Sequence, residues 1–550
     1  MLRIIRITHL FLFLVCITYT VQAQETGVIT GSFETNANAF IRDSSIYAFN
    51  TPQYDRQLFG GEAWLNLNYQ IQGFTIATRF DMFYNSNLRN PNASYSDAGI
   101  GMWSISKSLN FLDISVGYLY DQIGSGIVFR AFETRPLFID NALYGARLQY
   151  NFDDNWHLMA FAGKQKNAFD TYSGNIKGLR TEGFISAGSE ENPITLAPGL
   201  GFVNKTLSDE YMNGVIDVLK TYQNEDKFTP EYNSYAATIY NTLAYKGLNL
   251  YTEFALKSRD VLFNPYIEKT ELVGSNTLGK LVNPTGAVTY ISASYSTGNL
   301  GVTAEMKRTK NFTFRVDPNL TLLKGTINYL TPISRQNTYR LTARYTAPAL
   351  DISEMAYNLD IRYRFSKALS ANVNLTDIKT LEGEKLYQEL YTELVYKHNR
   401  KWQLNTGVQL LTYNQEIYET KAEVPLIKAI VPYADFLYKF TPGKSLRIES
   451  QYMSTQQDYG SWLFGLLEYN IAPRWSFEAS GMYNIDPKKP DINGDLKKIL
   501  YPTLGVTFFK DAQRYSLRYV KQVEGVVCSG GICRLEPAFS GIRFSMNTTF

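Results

Sequence analysis

Four charged residues crowd one short stretch of the chain: Arg130, Glu133, Arg135 and Asp140, following Gly124 and Gly126. The two glycines allow a sharp bend ahead of the charges. Opposed charges this close together serve one of two ends. Facing an aqueous passage, they set a field across it and filter solutes by charge. Meeting countercharges on a surrounding wall, they form ion pairs that anchor the segment. A second set falls on the polar positions of alternating apolar and polar stretches: Arg79, Asp81, Glu253, Lys257, Arg259, Asp360, Arg362, Arg364, Arg447 and Glu449. Its mixed sign argues against a ring strongly selective for one ion sign.

Other reactive residues are sparse. Cys528 and Cys533 in "CSGGIC" suit a disulfide that clips one loop of an exported chain, and without further Cys or His they make a poor zinc site. "PDINGD" places Asp491, Asn493 and Asp495 at the spacing that opens a calcium loop, but Pro502 stands at the twelfth position where a Glu is needed, so a hydrated turn is expected. Past the leader the histidines are His157 and His398, each beside a short turn, and no nucleophile constellation accompanies them. An enzyme is not expected, and no cofactor is implied.

The elements that position these charges follow from period-two alternation, the mark of strands. Over 74–84, Phe74, Ile76, Thr78, Phe80, Met82 and Tyr84 oppose Thr75, Ala77, Arg79, Asp81 and Phe83. Over 357–365, Tyr357, Leu359, Ile361, Tyr363 and Phe365 oppose Asn358, Asp360, Arg362 and Arg364. A hairpin pattern recurs around Tyr69, Tyr150, Tyr363, Tyr396, Tyr438 and Tyr469: a tyrosine, a few polar or apolar residues, a tight turn, then renewed alternation. Short turns fall near 72, 110, 153, 247, 298, 367, 399, 442, 473 and 510, and the connections between them are longer.

Short turns at one end, long loops at the other and abundant aromatics (40 Tyr, 33 Phe) predict a closed transmembrane antiparallel β-barrel rather than a soluble sandwich. Ten turns with eleven loops give about 22 strands, within a range of 18–24, with both termini in the periplasm. A wide barrel needs filling, and the loops 122–139, 166–230 and 311–352 are the candidates. Within 166–230, "SDEYMNGVIDVLKTYQ" predicts a helix capped by Ser208, with Tyr211, Val215, Val218 and Tyr222 on one stripe.

The leader "MLRIIRITHLFLFLVCITYTVQAQ" has two arginines, a short apolar core and Val21-Gln22-Ala23, which reads as a signal peptide over 1–23. Cys16 leaves with it. The remainder carries 52 basic and 51 acidic groups, so nothing suggests a nucleic-acid partner. After the leader no apolar run approaches the length of a spanning helix.

Several resemblances add to this reading. The last strand, "GIRFSMNTTF", resembles the terminal strand of outer-membrane barrels; the likeness implies that Phe550 with Phe544 is an insertion signal for the barrel-assembly machinery. General porins are similar in folding their third loop into the pore, and 122–139 is the third loop here. "GSGIVFRAFETRPLFIDNALYGARLQY" (124–150) and "YLTPISRQNTYRL" (329–341) resemble an uncharacterised family of large outer-membrane barrels from Bacteroidota. That likeness implies the fold and an outer-membrane location in contact with lipid, and brings no activity. TonB-dependent transporters share the strand number but not the start, since no plug domain precedes the first strand. Two functions stay open: a channel or gated passage for small solutes, and a plugged, non-conducting scaffold or accessory subunit of a secretion or assembly complex with other envelope proteins.

Overall fold

The computed structural model describes residues 27–189, 191–270, 277–320, 325–491, 494–529 and 532–550. The leader 1–23 lies outside them. Among them, 24 strands form one continuous antiparallel sheet in which each strand pairs with its sequence neighbours in the wall. The first strand, Val28–Phe40, pairs with the last, Phe539–Thr549, in the register Ser32↔Thr549 to Phe40↔Gly541, so the sheet closes on itself. Closure removes the open edge that hydrocarbon would leave unsatisfied. Phe550 extends the seam, exchanging backbone hydrogen bonds with Gly31 (2.8 and 2.9 Å).

The alternation sorts the two faces as the sequence pattern requires. Phe74, Ile76, Phe80, Met82 and Tyr84 are exposed on the outside, whereas Arg79, Asp81 and Phe83 are buried inside. In the last strand Ile542, Phe544 and Phe550 face outward. Near the end of the barrel that carries the termini and short turns, ring contacts join Tyr150 to Phe152, Tyr363 to Phe365, Tyr438 to Phe440 and Trp475 to Phe508. These are the interface aromatics expected of a membrane barrel. The turns themselves are tight: Gln72 and Gly73 both take positive φ, the backbone that matches strand twist in a two-residue hairpin.

All ten short turns occur, and a further antiparallel pairing sets Ser189 opposite Asn192. It changes the strand count. The segment 166–230 is not a loop: Asp170–Gly183, prolonged by Ile185–Ser189, and Asn192–Thr206 are wall strands, which raises 22 to 24. Glycines had diluted their alternation. A Cβ on Gly199 would lie 2.2 Å from the Tyr240 ring, and one on Gly201 2.2 Å from Ile123. The wall is thin there because interior groups press against it.

What remains of that segment outside the wall is the helix Asp209–Lys220, capped by Ser208 Oγ accepting from the Tyr211 amide at 3.2 Å. Val215, Leu219 and Tyr222 bury against Val261 and Leu281, in the connection between the strands Leu248–Lys257 and Gly286–Thr297. The helix therefore sits among the long loops.

Candidate functional site

The barrel interior is occupied by two connections, 120–142 and the described residues of 311–352 (311–320 and 325–352), and the charged residues describe how they are held. Arg79 points inward from the strand Phe74–Ser86 and is 2% exposed. Its guanidinium reaches Asp81 (2.6 Å) on its own strand and Glu133 (2.8 Å) and Asp140 (2.6 Å) on the third loop. Lys166 also pairs with Asp140, and the Tyr120 hydroxyl donates to it at 2.8 Å. Arg135 pairs with Glu133 (2.8 Å) and with Glu34 on the first strand (2.6 Å). Room for Asp81 comes from Gly101, where a Cβ would stand 1.8 Å from the carboxylate. Loop and wall thus share one buried network in which each carboxylate has a cation.

A second fastening lies at the bend. Gly124 and Gly126 take positive φ, as a sharp turn demands. Glu253, buried in the strand Leu248–Lys257, accepts from the Ser125 amide (3.0 Å) and hydroxyl (2.5 Å) and from Thr238 (2.9 Å) and Tyr251 (2.6 Å). Arg130 pairs differently, lying 4.2 Å from the Tyr329 ring centroid and so joining the two interior loops.

The loop 311–352 fills more of the lumen. Phe312, Phe314, Val316, Ile327, Leu341 and Tyr345 are buried within the main apolar cluster. Lys257 donates to the Thr313 carbonyl (2.7 Å) and pairs with Asp260 (3.3 Å), which Lys205 also holds at 2.5 Å. Further along, Asn337 donates to Glu389 (2.8 Å), Gln409 to the Thr342 carbonyl (3.0 Å) and the Leu341 amide to Gln451 (2.7 Å). Residues 337–346 run inside the barrel against one part of the wall, where the Tyr345 hydroxyl also donates to Asp458 at 2.8 Å. The Tyr339 ring meets that of Tyr433 in a tilted contact at 4.5 Å, and Arg335 lies 3.8 Å from the Tyr391 ring.

Not every charge expected in the lumen belongs to a narrowing. Asp360 meets Arg362 (2.8 Å) and, at 3.8 Å, Arg335 of the interior loop. Arg362 and Arg364 are exposed at the turn end, where Arg364 donates to Asn299, because they lie in the last turn of sheet before the hairpin. Arg259 lies past the end of its strand and is exposed. Arg447 bridges Asp435 (2.9 Å) and Glu449. Cys528 and Cys533 face each other in the register of the hairpin Gly525–Ser529 and Ile532–Glu536, while a disulfide between them falls on side chains outside the described residues. At the calcium candidate, Lys497 sits 2.5 Å from Asp491 and 3.5 Å from Asp495, so an ammonium already meets those carboxylates; Asn493 is outside the described residues.

One feature escaped sequence reasoning. A cavity of about 320 Å³ survives beside the seam, walled by Glu34, Glu62, Trp64, Ser516 and Ser545 together with Arg135, Arg514, Arg518, Arg534 and Arg543. Glu536 also lines it, giving five guanidinium groups against three carboxylates. Its lining runs from Arg514, next to a short turn, to Arg534 and Leu88 in the long loops. The parity of single strands gave Arg518 and Arg543 no special standing; they lie opposite each other on the last two strands, and closure of the seam brings Glu34 and Glu62 of the first two strands beside them.

The chain belongs to the family of unknown function DUF6029, which it matches over residues 1–550. Comparison with curated proteins finds no match. Among solved structures it is similar to the ferric-catecholate import receptor Fiu of E. coli (8% identity, 96% of this chain and 82% of that chain, TM-score 0.39). It is also similar to a mutant ferric enterobactin receptor PfeA of Pseudomonas aeruginosa (11%, 96% and 82%, 0.41) and to the siderophore receptor PirA of Acinetobacter baumannii (9%, 96% and 81%, 0.41). At such scores nothing about cargo transfers, and function rests on this chain's own residues.

Proposed function

We propose that this member of DUF6029 is an outer-membrane barrel forming a gated passage for small solutes, with a preference for anions. A closed sheet with an apolar outside and a charged inside suits the outer membrane, where the termini and short turns would face the periplasm and the long loops the exterior. The observation that carries the reading is the arginine-rich chamber left beside two interior loops whose apolar packing is supplemented by ion pairs and hydrogen bonds to the wall. Such polar contacts break and re-form with modest motion of the loops, and Arg514 and Arg534, which form no ion pair among the described residues, favour an anionic solute. The role of 122–139 is then that of an anchored gate rather than a bare charge constriction. Outer-membrane lipid is the surrounding partner, Phe544 and Phe550 form the signal for the assembly machinery, and no catalytic step is included.

A second reading has support in the apolar cluster that runs without a break from wall to interior loop: a permanently plugged barrel serving as an envelope scaffold. Conductance in planar bilayers separates the two. The purified barrel is compared with a variant whose residues 317–346 are replaced by a short glycine and serine linker between the strands Leu300–Lys310 and Ser353–Arg364. The passage reading expects small, anion-preferring currents in the parent and large steady currents in the variant. A silent parent that stays silent under all voltages and after the gate's ion pairs are removed would reject it in favour of the scaffold.

A further inference from the structure

A concavity of about 1250 Å³ lies on the outside of the barrel. Its lining identifies the face. On successive strands it touches Ala304 and Met306, Tyr357 and Leu359, Leu375 and Asp377, Gln388 and Leu390, Leu410 and Thr412, Lys428 and Ile430. Each pair flanks a residue whose side chain is turned to the lumen, such as Asn358, Glu389 or Leu411. A convex wall has no hollow on its outer face, so the sheet bows inward across these strands. These are the strands whose inner faces hold the interior loop, through Lys307 with the Thr331 carbonyl, Glu389 with Asn337 and Gln409 with Thr342.

The hollow is apolar below and cationic above. Tyr357, Leu375, Leu410 and Ile430 are exposed in it. At the loop end of the same face, Arg308 stands across Met355 from Lys379, and Lys379 is opposite Lys385. Two strand spacings put Arg308 and Lys379 about 10 Å apart. Lys428 lines the hollow itself. Asp377 is the acid on this face, and it is engaged with Lys379 at 2.8 Å and with Gln388 at 2.7 Å. Among the described residues Arg308 and Lys428 form no ion pair.

We infer that this hollow binds a phosphorylated, multiply acylated glycolipid of the outer leaflet, its acyl chains against the bowed wall and its phosphates on Arg308, Lys379, Lys385 and Lys428. Apolar surface below a basic rim, at the end of the barrel carrying the long loops, matches that amphiphile in both chemistry and order. The lipid then braces from outside the strands that hold the interior loop from within.

The test is native mass spectrometry of the full barrel in mild detergent, titrated with bisphosphorylated lipid A or with phosphatidylethanolamine. The parent should retain lipid A in preference. Arg308→Glu with Lys428→Glu should weaken retention by at least roughly thirtyfold, about fivefold for each basic group removed and more for the negative charges added. Ala304→Trp, which fills the hollow, should displace the lipid with the charges intact, and Lys177→Glu, on the outward face of a distant strand, should change nothing. Heat-modifiable gel mobility reports folding. If the double reversal fails to assemble, Lys428→Gln alone must still weaken retention about fivefold. Equal retention of both lipids, charge variants that behave like Lys177→Glu, or a stoichiometric protein seated there instead would overturn the inference.

Discussion

Replacing Arg79 by Met would test the gate most directly. The side chain is 2% exposed and contacts three carboxylates within 2.8 Å, two of them on the third loop. Its removal leaves Asp140 with Lys166 and Glu133 with Arg135, while Asp81 loses its ion-pair partner. Breaking a buried pair by deleting one member costs about 3–5 kcal/mol. Glu133 and Asp140 are 22% and 16% exposed, so the low end applies to the loop contacts. About 3 kcal/mol shifts the ratio of docked to undocked loop by roughly 150-fold. The wall strand keeps its backbone pairing, so the barrel should still show heat-modifiable mobility. In planar bilayers, open time or conductance should rise steeply over the parent. A folded Arg79→Met barrel with unchanged currents would mean that the network does not hold the gate.

Acid should act on the same ion pairs. Burial raises the pKa of the loop carboxyl of Asp140, but Lys166 and Arg79 outweigh it and hold the value below the usual 3.8. Docking is therefore fully supported above about 3.8 and is lost as pH falls through the lowered value, so currents recorded at descending pH should stay flat to about pH 4 and rise below it. Glu253→Gln weakens the clasp on Ser125 and should raise conductance less than Arg79→Met, by about 1–3 kcal/mol of docking, readable as a smaller change in open probability. Ser208→Ala removes the cap of the helix Asp209–Lys220 at about 1 kcal/mol and should speed proteolysis there while leaving currents unchanged. Peptide mapping without reductant should recover Cys528 and Cys533 in one disulfide-linked peptide, as their opposed register expects.

Membrane strands declare themselves in sequence because each must present lipid with one face and water with the other, and a period of two records that demand residue by residue. Ten turns, the outward set from Phe74 to Tyr84 and the seam strand ending at Phe550 were legible for this reason. The pattern fails where a strand faces bulk from inside: Gly199 and Gly201 yield to Tyr240 and Ile123, and the hairpin containing them read as loop.

Local sequence also brought Arg130, Glu133, Arg135 and Asp140 to notice, since they are neighbours along the chain. It left open whether they line a constriction or simply anchor the segment to the wall, because their partners Arg79, Glu34 and Lys166 come from three other strands. The arginine chamber, the second interior loop's path and the hollow in the outer wall depend on closure, register and the inward bow of the sheet. Those arise from contacts between residues tens to hundreds of positions apart, and no local period encodes them. Sequence alone determined a barrel with a greasy outside and charged inside; tertiary structure decided which charges meet, and what space is left between them.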